Sequence, residues 1–159
     1  MGSSRQQINQ FLVEAFHEIL KTEELALASY APDLTLREFH LIEEICQAQD
    51  RGTDDRATAI AASQRITAGT LTTAATQLEK KGYILRRRDE KDRRVVHLLP
   101  TEKGRQANRQ HSCFHVEMVR DVLDTLTREE TEVLAQALER IARFFRRKAA
   151  KECFKEVNS

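Results

Sequence analysis

A mainly α fold interrupted by a single β-hairpin is what the 159-residue sequence predicts, and three observations predict it. Apolar residues recur at i, i+3, i+4 and i+7 through most of the chain, the pattern of helices that each bury one stripe. That pattern breaks once, where the β-prone runs Tyr83–Arg88 and Arg93–Leu99 flank the charged tip Asp89-Glu90-Lys91-Asp92. Just before the break lies a helix whose outer face carries hydroxyl, amide and glycine residues where a solvated helix would carry Glu/Lys pairs. Short helix, helix, then hairpin is the order of a winged helix-turn-helix, here within about six helices in all.

Each element has a local cause. Ile8, Phe11, Leu12, Ala15, Phe16, Ile19 and Leu20 predict an amphipathic helix running to about Ser29, and Pro32 ends it. Thr35 and Glu38 form a capping box for a second helix with Leu36, Phe39, Ile42 and Ile45 inside. Asp50–Asp55 is a turn, and Ala57–Ala62 is the short first helix of the helix-turn-helix. Thr67 caps the next helix, which buries Leu71, Ala74, Ala75 and Leu78 and stops at Gly82. From Thr101 a long helix carries Ala107, Phe114, Met118, Val119, Val122 and Leu126 on one side. A second capping box, Thr127 and Glu130, opens a last helix with Val133, Leu134, Ala137, Leu138, Ile141, Phe144 and Phe145.

The net charge of +1 hides an asymmetry. Residues 1–55 hold eleven acidic and four basic side chains, whereas residues 79–105 hold ten basic and five acidic ones. Positive charge beside a small polar helix is the footprint of duplex DNA binding, and it places that activity downstream of the acidic segment. Thr67, Gly69, Thr70, Thr73 and Gln77 are the side chains able to approach a groove, although an ordinary exposed face of poor helix formers has the same composition. One domain, 1–159, is expected, with residues 33–100 as the winged helix and 1–32 and 101–159 as helical arms. No apolar run is long enough for a membrane span and no secretory h-region follows the start. Three cysteines without a CxxC suit a reducing cytoplasm, and no catalytic motif is present, so an enzyme is not expected.

The segments GTLTTAATQLEKKGYI and DEKDRRVVHLLPTEKG resemble the MarR family of bacterial winged-helix regulators. The likeness is carried by Asp89, Asp92-Arg93-Arg94, Val96, Thr101 and Gly104 in the wing region and by Thr70-Leu71-Thr72, Leu78-Glu79 and Gly82 in the helix before it. It implies an intertwined homodimer on a pseudo-palindromic operator, with the helix from Thr67 in the major groove and the wing at the adjacent minor groove. It also implies that Arg93 and Arg94 are the wing contacts, with Asp92 pairing Arg94 as a brace; which arginine enters the groove stays open. The chain departs from the family at Gln64-Arg65, where relatives place Leu then Gly, and at Pro100, where they place an aliphatic residue.

Two effector readings share one region. His111 and His115 are one helical turn apart, a chelating spacing, and with His40 they are similar to the zinc-sensing branch of the family, whose acidic ligand would be Glu23 or Glu24. The same histidines read more readily as buried or interfacial hydrogen-bonding groups. ATQLEKKGYI, DRRVVHL and TEKGR resemble the FabT-like repressors of fatty-acid synthesis, and that resemblance is preferred. It implies long-chain acyl–acyl carrier protein as corepressor, no bound cofactor, and an acyl cavity lined by Phe16, Leu20, Phe39, Phe114 and Met118, residues that read otherwise as core. Arg86, Arg105 and Arg109 are the basic candidates for docking the acidic carrier. Redox sensing by Cys46, Cys113 or Cys153 ranks last, for want of an activating pattern beyond the histidines beside Cys113.

Overall fold

The computed structural model describes residues 3–157, with side chains through Ala149. It divides into two compact units, one ending at Phe114 and one beginning at His115. In the first, α1 (Ser4–Gln10), a π-helical stretch (Phe11–Ala15) and α2 (Phe16–Tyr30) follow one another with helical backbone at both junctions, so the single predicted helix is present with a π-turn inside it. Its first stripe does not behave as expected. Ile8, Phe11, Leu12, Phe16 and Ile19 are exposed, and only Glu23 and Leu27 of α2 are buried, because the core of the single chain begins at Leu27.

Helix α3 (Leu36–Arg51) opens on its predicted box: the Thr35 hydroxyl accepts the Glu38 N–H and the Glu38 carboxylate accepts the Thr35 N–H at 2.9 Å. Its inner face, Phe39, Ile42 and Ile45, forms the centre of the core with Ile60 of α4 (Ala57–Ser63) and Leu71 and Leu78 of α5 (Ala68–Lys80). The two-stranded antiparallel sheet, β1 (Ile84–Arg88) and β2 (Val96–Pro100), closes that core with Ile84 and Leu98. Pro100 pairs with Ile84 at the very end of β2, where a missing N–H breaks no interior ladder bond.

Helix α6 (Glu102–Leu123) starts in the first unit and continues into the second. The second unit adds α7 (Arg128–Val157), whose box is present: Thr127 N–H donates to the Glu130 carboxylate at 2.8 Å and Glu130 N–H to the Thr127 hydroxyl at 3.2 Å. Val116, Val119, Val122, Val133, Leu138, Phe144 and Phe145 are all exposed there. Among the described residues no helix is long and apolar enough to cross a membrane.

Candidate nucleic-acid interface

Helix α5 forms because Thr67 caps it and its apolar spacing matches the helical period. The Thr67 hydroxyl accepts the Thr70 N–H at 3.1 Å, and Leu71, Ala75 and Leu78 are buried beneath. Thr67, Gly69, Thr70, Thr73 and Gln77 all lie on the exposed face, where the helical spacing puts them. The hydroxyls of Thr72, Thr73 and Thr76 donate back to the carbonyls of Ala68, Gly69 and Thr72 at 2.8, 3.2 and 2.8 Å, which fixes their rotamers.

The turn into α5 explains the departure at Gln64-Arg65. Gln64 is half-buried and donates to the Glu44 carboxylate at 3.3 Å, which satisfies the amide that stands where an apolar residue would pack. Arg65 has φ +53°, in the left-handed region, with its N–H on Ala62 O and the Ile66 N–H on Ala61 O. That pair of bonds is a Schellman stop, and its left-handed position normally holds glycine.

The wing corrects the sequence reading. Arg93, Arg94 and Val95, predicted as strand, lie in a seven-residue turn over 89–95 instead. Side-chain caps outcompete the ladder there: Asp89 Oδ1 accepts the N–H groups of Lys91 (2.8 Å) and Asp92 (2.9 Å). Asp92 does brace Arg94, but by accepting its backbone N–H at 2.9 Å; among the described residues no ion pair joins the two side chains. Both arginine side chains are exposed.

The base of the wing is fastened by a contact with no sequence signal. His97 Nδ1 lies 2.5 Å from Asp55 Oδ1, Asp55 O accepts the Leu98 N–H at 3.0 Å, and Gln49 donates to Asp55 Oδ2 at 2.7 Å. The Asp55 hydrogen bond, ahead of the opposing effect of burial and with help from Asp89, holds the imidazole pKa above its ordinary 6.5. Beside it Arg56 holds the Asp54 carboxyl down at about 2 through a side-chain hydrogen bond. Arg56, Thr58, Thr72 and Arg94 line one open furrow of about 280 Å³ between α5 and the wing. No spacing rule joins Arg56 and Thr58 to this furrow, since they stand 16 and 14 positions before Thr72 and meet it only through the fold.

Three comparisons bear on this arrangement. The MarR family model matches residues 34–96, from the start of α3 to the wing. Over 72 residues the chain is 38% identical to the transcriptional repressor MprA of Escherichia coli K12, a match that spans 42% of this chain and only 40% of that protein. The crystal structure of Streptococcus pneumoniae FabT in complex with DNA superposes with a TM-score of 0.82 and 37% identity, covering 90% of this chain and 98% of that one. The chain belongs to the MarR family. AbsC, a MarR family transcriptional regulator from Streptomyces coelicolor, shares the fold at TM-score 0.70 and 23% identity over 92% of this chain and 97% of its own. MprA is a transcriptional repressor and AbsC a transcriptional regulator, and a MarR-family chain is no enzyme.

In this MarR-family chain the effector candidates separate. Phe39 is wholly inside the core, Phe16 is exposed, Leu20 and Phe114 are half-buried, and Met118 belongs to the second unit. Glu23, not Glu24, is the buried carboxylate, and it and buried His111 bring one ligand atom each within 4.8 Å of one another. Tyr30 OH is paired with His111 Nδ1 at 2.6 Å, and burial, then the charge of Glu23, pushes the phenol up to about 12. Phe39 packs on the His111 ring at 4.1 Å between centroids. His40 does not join them; it lines a surface cleft with Leu36, Arg37, Gln64 and Thr70. His115 lies one turn beyond His111, in the second unit.

The three basic residues considered for carrier docking already hold carboxylates of this chain. Arg86 pairs with Glu79 at 2.6 Å, Arg105 with Asp50 at 3.0 Å and Arg109 with Glu102 at 2.6 Å. Cys46 is buried and desolvation pushes its thiol up to about 11, which makes it a poor nucleophile; Cys113 is exposed, and Cys153 lies outside the described side chains.

Proposed function

We propose that the protein is a homodimeric transcriptional repressor that reads a pseudo-palindromic duplex through Thr67, Gly69, Thr70, Thr73 and Gln77 of α5, with Arg93 and Arg94 of the wing on the flanking backbone and minor groove. The observation that carries this is the likeness, at 37% identity over 98% of its length, to a FabT solved with DNA. The exposed stripes at Ile8–Ile19 and Val116–Phe145 support a second copy as partner, since apolar area of that extent is rarely left to water. Such a regulator works in the cytoplasm, where the DNA is.

Within that reading the regulated genes are those of fatty-acid biosynthesis and the corepressor is long-chain acyl–acyl carrier protein, following the FabT-like character of the sequence, with no cofactor required. A zinc-responsive regulator is the second reading, favoured by buried Glu23 and His111, a carboxylate and an imidazole of the kind zinc accepts. Zinc there would supply a cross-link between α2 and α6. Fluorescence anisotropy on a labelled duplex enriched from a random pool decides between them. Oleoyl-loaded carrier protein should tighten binding while unacylated carrier does not. A response to Zn²⁺, abolished by His111→Ala, with none to the acyl carrier would overturn the acyl reading.

A further inference from the structure

Both ring nitrogens of His97 face carboxylates, and the two carboxylates come from different segments. Nδ1 meets Asp55 Oδ1 at 2.5 Å on the loop before α4, and Nε2 lies 3.4 Å from Asp89 Oδ2 where β1 turns into the wing. A neutral imidazole has one N–H, so it can donate to one carboxylate while its bare lone pair faces the other; only the imidazolium satisfies both. We propose that protonated His97 is the positioning residue that fastens the wing to the helix-turn-helix, and that duplex affinity falls as this proton is lost. The affinity half of this rests on the reading of the protein as a duplex-binding regulator.

The surrounding charges leave this pair of acceptors to His97. On the loop, Asp54 is held by Arg56, whose backbone also bridges to His97. On β1, Arg87 is the cross-strand partner of His97 and Arg88 follows it, both cations. From α3 the facing group is the neutral amide of Gln49, on the other oxygen of Asp55. The imidazole pKa is raised, so the clamp is complete at low pH and is lost as pH rises through the folded value, above 6.5. The proton that stays is the one on the short Nδ1 contact, so the contact released is that to Asp89. Asp89 also gathers the Lys91 and Asp92 N–H groups, and its release loosens the turn that carries Arg93 and Arg94.

Two measurements on the full chain test this. NMR titration of the ring should show His97 titrating above 6.5 in the free protein; a midpoint at or below that value overturns the clamp. Affinity for a duplex of about 20 base pairs, enriched from a random pool by the protein itself, is then followed from pH 6 to 9 at constant salt. It should fall roughly threefold to tenfold, the range for one partly exposed charge-assisted contact. His97→Gln should bind weakly and with a flat profile, and a wild-type slope in that variant overturns the proposal. Asp89→Asn keeps Oδ1 for its two backbone partners and removes charge only from the side facing His97. It should move both the ring titration and the affinity loss to lower pH, and an unmoved midpoint also overturns the proposal. If no form retains any duplex, the regulator reading fails, while the ring titration still decides the clamp.

Discussion

Gly104 passes so close to Tyr83 that a β-carbon on it would lie 2.3 Å from the Tyr83 carbonyl oxygen. The approach is held in place by Thr101, whose hydroxyl donates to Gly82 O at 2.7 Å and accepts the Gly104 N–H at 3.1 Å. The start of α6 is thereby pinned to the strand that leads into the wing. Gly104→Ala should cost about 1–3 kcal/mol, the range for overpacking where the obstructing atom is backbone and cannot swing away. Urea denaturation checks it, and a midpoint equal to wild type would mean that α6 can shift.

Arg65 sits at a position that L side chains avoid. Arg65→Gly removes a left-handed cost of roughly 1–2 kcal/mol, partly offset by the added freedom of glycine in the unfolded chain. A net gain of about 0.5–1 kcal/mol in thermal unfolding is expected, with duplex affinity unchanged. Loss of stability would show that the arginine makes a compensating contact.

Thr73 lies on the face assigned to the groove, its hydroxyl tied to Gly69 O. Thr73→Glu brings a carboxylate against bases and phosphates, so binding to the enriched duplex should drop to background while circular dichroism stays that of the wild type. Normal binding by the folded variant would mean that a different face docks.

Arg93 and Arg94 are exposed on a turn ordered by Asp89 and Asp92. Each alanine variant should lose about 1–3 kcal/mol if it contacts a base and lower the salt slope by roughly one if it contacts a phosphate. Unchanged affinity and slope in both would exclude the wing from the complex.

Most of the fold was legible because its causes are local. Thr35 with Glu38, Thr67, Gly82 and Thr127 with Glu130 stop and start helices within four residues of themselves, and the buried stripes of α3 and α5 follow the helical period. The wing was read too long at its second strand because Asp89 and Asp92 draw the backbone N–H groups of the turn to themselves, a choice that β-propensity does not register. The hold of Asp55 on His97 spans 42 residues, and no spacing rule reports it. The first helix shows the other limit: periodicity gives a stripe at Ile8–Ile19, but whether a stripe meets its own core or a second chain depends on where that core begins. The candidate DNA face was legible for the same reason as the helices, since exposure on α5 follows from Leu71 and Leu78 pointing inward. The burial of the proposed acyl-cavity lining was not, because Phe16 and Phe39 share a pattern yet one is exposed and the other buried.

The threonines of α5 have a consequence for what the helix can distinguish. Thr72, Thr73 and Thr76 have each committed their single proton to the carbonyl one turn back, so outward they present lone pairs and methyl groups. If this face enters a groove, these three hydroxyls suit the exocyclic amines of adenine and cytosine and the methyl of thymine, which leaves the Gln77 amide to donate to the two acceptors of guanine. One strong donor at position 73, an arginine, would turn the same helix toward G·C pairs without altering a single packing contact beneath it.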